Sequence, residues 1–314
     1  MEDSSIPGGQ RDTIVVGVDG SEDSERATRY AVEEALRTQR RIRLVHVVPE
    51  TVPMASMMPL YGSETLEAVG RRILGDAEAL VLELCDEVLP VETVLAHGPR
   101  YGAILAHTQD AALVVLGRRP SMIARIRTGS TSSAIAARAE CPVVTVPEEW
   151  ADAPRHGRVV AAVDGSTASK EVLRAGLAAA HERSAELVVL HAWRPMAPYE
   201  SALAGGRAAD AWQRQAEPVV WAMIAGLRAE HPDVEVQVEL HYERTADALV
   251  AAGRTADLLV MGRRGDGPSF GISLGAKPRA LLRAGVCPVE IVPVPRAERR
   301  GVPRQAGSDV SVPR

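Results

Sequence analysis

The chain has 314 residues, enough for two domains of ordinary size, and a formal net charge of -5, which gives no strong basic bias toward nucleic acid. Nearly half of the residues are hydrophobic, yet only one is Phe, so the core must be built from Val, Leu, Ile and Ala, the material of buried parallel strands under Ala- and Leu-rich helices. The three cysteines, Cys85, Cys141 and Cys287, form no CxxC pair and are odd in number, which argues against a disulfide framework or a cysteine zinc site.

Residues 1–11 read as a loose polar tail without the basic start and apolar core of a secretory signal. Thr13 to Val18 is a short apolar strand, and Ser21 or Asp23 can cap a helix carrying Ala27, Tyr30, Ala31, Ala35 and Leu36 at helical spacing. Ile42 to Val48 is a second strand. Residues 49–63, with three prolines, Met54, Met57 and Met58, read as a loop, followed by a helix from about Ser63 to Leu89. A strand at Val91 to Ala96, a short helix at Tyr101 to Thr108, a strand at Ala112 to Leu116, a glycine-bearing segment, a helix to Arg138 and a strand at Pro142 to Pro147 complete the unit.

After a linker at Glu148 to His156 the pattern restarts, with strands at Arg158 to Val163, Leu187 to Ala192, Val234 to Leu240, Asp257 to Met261 and Cys287 to Pro293. Asp19 to Asp164, His46 to His191 and Gly117 to Gly262 are each 145 positions apart, and Cys141 to Cys287 is 146. Such constancy marks an internal duplication. The expected architecture is α/β, two tandem doubly wound five-stranded parallel-sheet domains over 12–148 and 157–295, packed as an internal pseudo-dimer. The tail from 296 to 314, rich in Arg, Gly, Ser and Pro, is expected to be disordered. No apolar run is long enough to span a bilayer, and the expected location is the cytoplasm.

Asp19 and Asp164 each end a first strand and precede Gly-Ser. In a doubly wound sheet such a carboxylate lies at the mouth of the crevice, where it can accept hydrogen bonds from a base or ribose. The same Asp-Gly-Ser is equally a turn followed by a helix cap. After each fourth strand comes a glycine segment, Gly117-Arg-Arg-Pro120 leading to Gly129-Ser130, and Gly262-Arg-Arg-Gly265 leading to Gly275-Ala276. Glycines let a backbone turn its N–H groups toward a phosphate, and a helix starting near Gly275 would add its positive end. A flexible loop with a tight helix start is the other reading. The arginine pairs Arg118-Arg119 and Arg263-Arg264 read either as phosphate partners or as solvated loop charges. His46 and His191 read as satisfied strand residues, His97 and His241 as residues that approach the pocket without a specified role, and the cysteines as small buried packers. There is no Gly-x4-Gly-Lys loop, no HExxH, no nucleophile elbow, no acidic cage for Mg²⁺ and no general base paired with a nucleophile.

Together the two Val-Asp-Gly-Ser turns, Leu-Val-His-Val and Val-Leu-His-Ala, the glycine segments and the closing Cys-Pro-Val strands resemble a tandem universal stress protein of the ATP-binding type, over nearly all of the ordered chain. The resemblance implies an adenine nucleotide alpha hydrolase-like fold, and ATP in one or both halves with any Mg²⁺ carried by the phosphates. It also implies a role in stress sensing or regulation through an unidentified protein partner, without nucleic acid, membrane or an established enzymatic step. It places Asp19 and Asp164 on adenosine, and main chain at Val47 and Ala192 on adenine. It places Gly117, Gly129 and Ser130, and Gly262, Gly265 and Gly275, on ribose and phosphates. Pro120 and Ala276 depart from the family pattern, so an interaction protein with decayed sites and a slow ATPase remain the alternatives, as does a homodimer of chains.

Overall fold

The computed structural model describes residues 11–49, 63–118, 131–166, 168–193, 198–263 and 274–293. The expectations for both tails, for the Met-bearing loop and for most of each glycine segment lie outside them. In the first half β1 (Thr13–Gly17), α1 (Glu22–Thr38), β2 (Arg41–Val48), α2 (Ser63–Leu84), β3 (Val91–His97), α3 (Arg100–Ala106), β4 (Ala111–Gly117), α4 (Thr131–Ala136) and β5 (Val143–Val146) follow in order. The second half repeats them as β6 (Arg158–Val163), α5 (Ala168–Arg183), β7 (Glu186–Ala192), α6 (Pro198–Ala225), β8 (Val236–His241), α7 (Thr245–Gly253), β9 (Leu258–Gly262), α8 (Ala276–Ala284) and β10 (Val289–Val292). Helix α2 stops short of the expected Leu89 because Asp86 and Glu87 take left-handed φ of 48° and 61°, which turns the chain toward β3.

The halves are not two separate sheets. Among the described residues ten strands form one, in the order β3-β2-β1-β4-β5-β10-β9-β6-β7-β8. Pairing within each half is parallel, and β5 and β10 meet antiparallel, with Val144 opposite Glu290 and Val143 opposite Ile291. The last strands of the two halves therefore join them by main-chain hydrogen bonds. All four residues of β5 are buried, so this pairing covers what would otherwise be an apolar open edge.

Strand alternation sends successive side chains to opposite faces. On one face, Val15, Val114 and Ile135 of the first half share an unbroken core with Val160, Leu259 and Leu281 of the second, under α3, α4, α7 and α8. On the other face the core is split. Ile14, Val16, Tyr30 and Leu74 pack under α1 and α2, while Val159, Leu173 and Ile224 pack under α5 and α6. Polar groups bridge that split. Arg183 of α5 donates to Glu34 of α1 and to Tyr30 Oη (3.1 Å), and Arg37 pairs with Glu34 at 2.7 Å. Burial raises the carboxyl of Glu290 on β10 to about 7, with Arg183 working in the opposite direction and Glu34 and Glu182 adding to the rise. No helix among the described residues is long and apolar enough to cross a membrane.

Candidate functional site

Strands β1 and β4, and β6 and β9, are the neighbours at which the strand order reverses, so a crevice is expected beyond their carboxyl ends. The second half has one. A cleft of about 470 Å³, counting space open to solvent, is lined by Asp164 at the end of β6, Ala168 and Ser169 of α5, Thr245 of α7, Gly262 of β9, and Lys277 and Pro278 of α8. Asp164 is exposed there. Its Oδ1 accepts from Ser166 N–H at 3.1 Å and from Ser169 Oγ at 3.4 Å, across a turn in which Gly165 has φ of 78°. The turn reading and the crevice reading are thus both realised, since the turn is what points the carboxylate into the cleft. Ser166 Oγ is buried and without a hydrogen-bond partner.

The opposite wall is the start of α8, capped by Gly275 without a side-chain hydrogen bond and with no acidic residue in the first turn. Ala276 and Lys277 offer main-chain N–H groups that lie ahead of the helix ladder. Lys277, exposed in the second helical position, adds a cation where the helix dipole disfavours one, an inversion that suits an anion in the cleft. Ala192, the position expected to face adenine, is buried at the end of β7, and its carbonyl accepts from Thr245 Oγ1 at 3.1 Å. Gly265 lies outside the described residues.

The first half repeats the backbone and alters the lining. Asp19 is exposed, and its Oδ1 accepts from Ser21 N–H at 3.2 Å and from Ser21 Oγ, while Ser21 caps α1 through Ser24 N–H. Val47 is buried at the end of β2 like Ala192. At Gly117 the backbone of Asp23 packs so closely that an added Cβ would lie 2.2 Å from Asp23 O. Asp23 is in turn held by Arg26 at 2.8 Å, both side chains largely covered. The residue 145 positions on is Ala168, whose methyl leaves the second-half cleft open. Ser132 Oγ donates back to Gly117 O at 3.4 Å. Gly129 and Ser130 lie outside the described residues.

Both strand histidines are satisfied, as expected: Nδ1 of His46 donates to Val18 O (2.8 Å) and Nδ1 of His191 to Val163 O (2.9 Å), each bracing the residue before the aspartate. His97 pairs with Glu67, and His241 with Glu239 and Glu243; neither histidine lines the cleft. The three cysteines are buried, and burial pushes the thiols of Cys141 and Cys287 up to about 11 and about 12, which keeps them protonated. Sequence reasoning missed Thr245 and Lys277, which no motif marks, and Ala168 against Asp23, which only an alignment of the halves brings out. Neither phosphate nor solvent describes Arg118 and Arg263: each guanidinium reaches main chain of the other half.

A model of the universal stress protein family matches residues 10–147 and 156–293. A universal stress protein of Mycobacterium tuberculosis is 32% identical over 285 residues, covering 88% of this chain and 95% of the relative, and another from that organism is 29% identical over 303 residues, covering 90% and 95%. The crystal structure of a universal stress protein from Archaeoglobus fulgidus is similar at a TM-score of 0.69 and 18% identity, over 90% of this chain and 97% of that one, a likeness of fold. The chain belongs to the universal stress protein family.

Proposed function

We propose that this universal stress protein holds one adenine nucleotide, ATP, in the cleft of its second half, and that the first half serves as a structural partner rather than a second binding site. The open cleft in front of Asp164 carries the reading. Its lining is apolar apart from Asp164, Ser169, Thr245 and Lys277. Asp164 would accept hydrogen bonds from the ribose hydroxyls, and the main chain at Ala192 would meet the adenine edge. Phosphates would approach Gly262, the first-turn N–H groups of α8 and the Lys277 ammonium, with Gly265 and Gly275 as the further contacts that the resemblance implies. Lys277 then does the work for which Ala276 lacks a hydroxyl.

Magnesium would enter on the phosphates, since no group of three His, Cys, Asp or Glu among the described residues is arranged to hold a metal ion. In the first half the residues expected to bind are Asp19, Val47, Gly117, Gly129 and Ser130, and the main chain of Asp23 packs against Gly117, its O 2.2 Å from where a Cβ would stand. That is the observation favouring a decayed first site. The function is binding, with stress signalling through a protein partner as its output.

Calorimetry of the full chain with ATP tests the reading. One ATP per chain is expected. Asp164→Ala should weaken it about tenfold to hundredfold, the worth of hydrogen bonds to a charged group, while Asp19→Ala leaves it unchanged. No binding at all, or equal losses from both substitutions, refutes it.

A further inference from the structure

The arginine that follows each crevice glycine serves the opposite half. Arg118 follows Gly117, and its N–H donates to Val146 O of β5 at 3.0 Å. Its guanidinium then crosses the seam to Arg283 O, at the carboxyl end of α8. Arg263 follows Gly262, and its N–H donates to Val292 O of β10 at 3.0 Å. Its guanidinium crosses the other way, to Ala137 O at 3.1 Å and Ala139 O at 2.9 Å, just past α4, and is buried there.

The same two stretches also touch the start of the helix in their own half. Gly117 O accepts from Ser132 Oγ at 3.4 Å, and Arg263 O accepts from Gly275 N–H at 3.5 Å. The contacts close into a ring. From the start of α8 it runs through Arg263 to the end of α4, along α4 to Ser132 and Gly117, and through Arg118 to the end of α8. Carbonyls at a helix end lack ladder partners and carry partial negative charge, so a guanidinium is a strong partner for them. Gly285, directly after α8, has φ of 65°, a conformation that favours glycine, and Arg118 Nη1 lies 1.8 Å from where a Cβ would stand. The ring lies on the face whose core runs unbroken across the seam, with Ile135 of α4 and Leu281 of α8 in it.

We propose that this arginine exchange reports occupancy of the second-half cleft to the first half: a phosphate held at the first turn of α8 restrains α8 and, through Arg263 and Arg118, α4 and the end of β4. The inference rests on the nucleotide reading of the cleft and assigns its regulation. The loaded half and the reporting half are then different halves, and the surface around α4 is where a partner would read the state of the cleft.

Hydrogen exchange of the full chain, with and without saturating ATP, tests it. Exchange should slow over residues 274–284 and also, by about fivefold, over residues 131–139 across the seam. In Arg263→Met and in Arg118→Met the first effect should persist and the second disappear. Arg118→Met, whose side chain is less buried, gives the answer if Arg263→Met does not fold. Protection confined to the second half of the wild type overturns the proposal, as does cross-seam protection that survives both substitutions. If ATP slows exchange nowhere and calorimetry of the wild type detects no binding, the nucleotide reading itself fails and this inference with it. Calorimetric binding without cross-seam protection sinks the inference alone.

Discussion

The two halves share strand order, the turn after the first strand and the histidine that braces it, and they differ at the residue that meets the crevice glycine. In the first half the main chain of Asp23 packs against Gly117; in the second Ala168 and Gly262 both line the open cleft. A duplicated backbone therefore need not carry a duplicated site. The frame is set by buried strands that tolerate little change, while the crevice is set by a few side chains at its mouth. A second asymmetry lies behind the sheet. Arg183 in the second half reaches Glu34 in the first, whereas the position 145 residues before Arg183 is Thr38.

The largest expected effect tests that second asymmetry. Arg183→Met removes the buried cation beside Glu34 and Glu290, leaving Glu34 to Arg37 alone, and should cost about 3 kcal/mol in urea unfolding. The corresponding change Thr38→Met should cost far less, and equal costs would remove the asymmetry. Ala168→Asp brings the first-half carboxylate into the second-half cleft. It should reduce ATP affinity about a hundredfold by calorimetry, through steric filling and repulsion of phosphate; unchanged affinity would separate the cleft from the nucleotide.

Glu290→Gln sharpens the description of the seam. The folded pKa of Glu290 is raised from 4.5 to about 7, so the native state holds a proton that the unfolded chain releases. This group's contribution is therefore fully present below about 4.5, is lost as pH rises toward 7, and is constant above it. Relative to the wild type, Glu290→Gln should gain about 2 kcal/mol at pH 8 and almost nothing at pH 4.5, measured by paired urea titrations. A gain that does not change with pH would show that Glu290 is already ionised in the native protein at low pH.

Lys277→Ala should weaken ATP about fivefold and lessen the salt dependence of its binding, while adenosine binds as before, because only a phosphate meets that charge. The smallest effect is expected from Asp23→Ala. By removing the carboxylate, though not the main chain that packs on Gly117, it should add a weak second ATP equivalent with a Kd near the millimolar range, visible as a change in calorimetric stoichiometry at high ligand. If that equivalent binds as tightly as the first, Asp23 alone closed the first site; if none appears, the Pro120 segment matters as well.

The duplication, the strand and helix order, the parallel class and the two aspartates were legible in the sequence. Apolar runs such as Val159-Val160-Ala161 leave a strand little freedom but to be buried on both faces, and a constant offset repeats whatever the first half does. What the tertiary structure decided was how the halves join and which crevice is open. Antiparallel pairing of Val144 with Glu290 makes one ten-stranded sheet, and that pairing carries Arg118 and Arg263 to carbonyls 165 and more than 120 positions away. An arginine beside a glycine looks the same in sequence whether it meets phosphate, water or a helix end. Its partner is set by long-range packing, which local spacing does not encode. The same holds for Asp23 and Ala168: both open a helix in the sequence, and only the approach of β4 or β9 makes one a plug and the other a doorway.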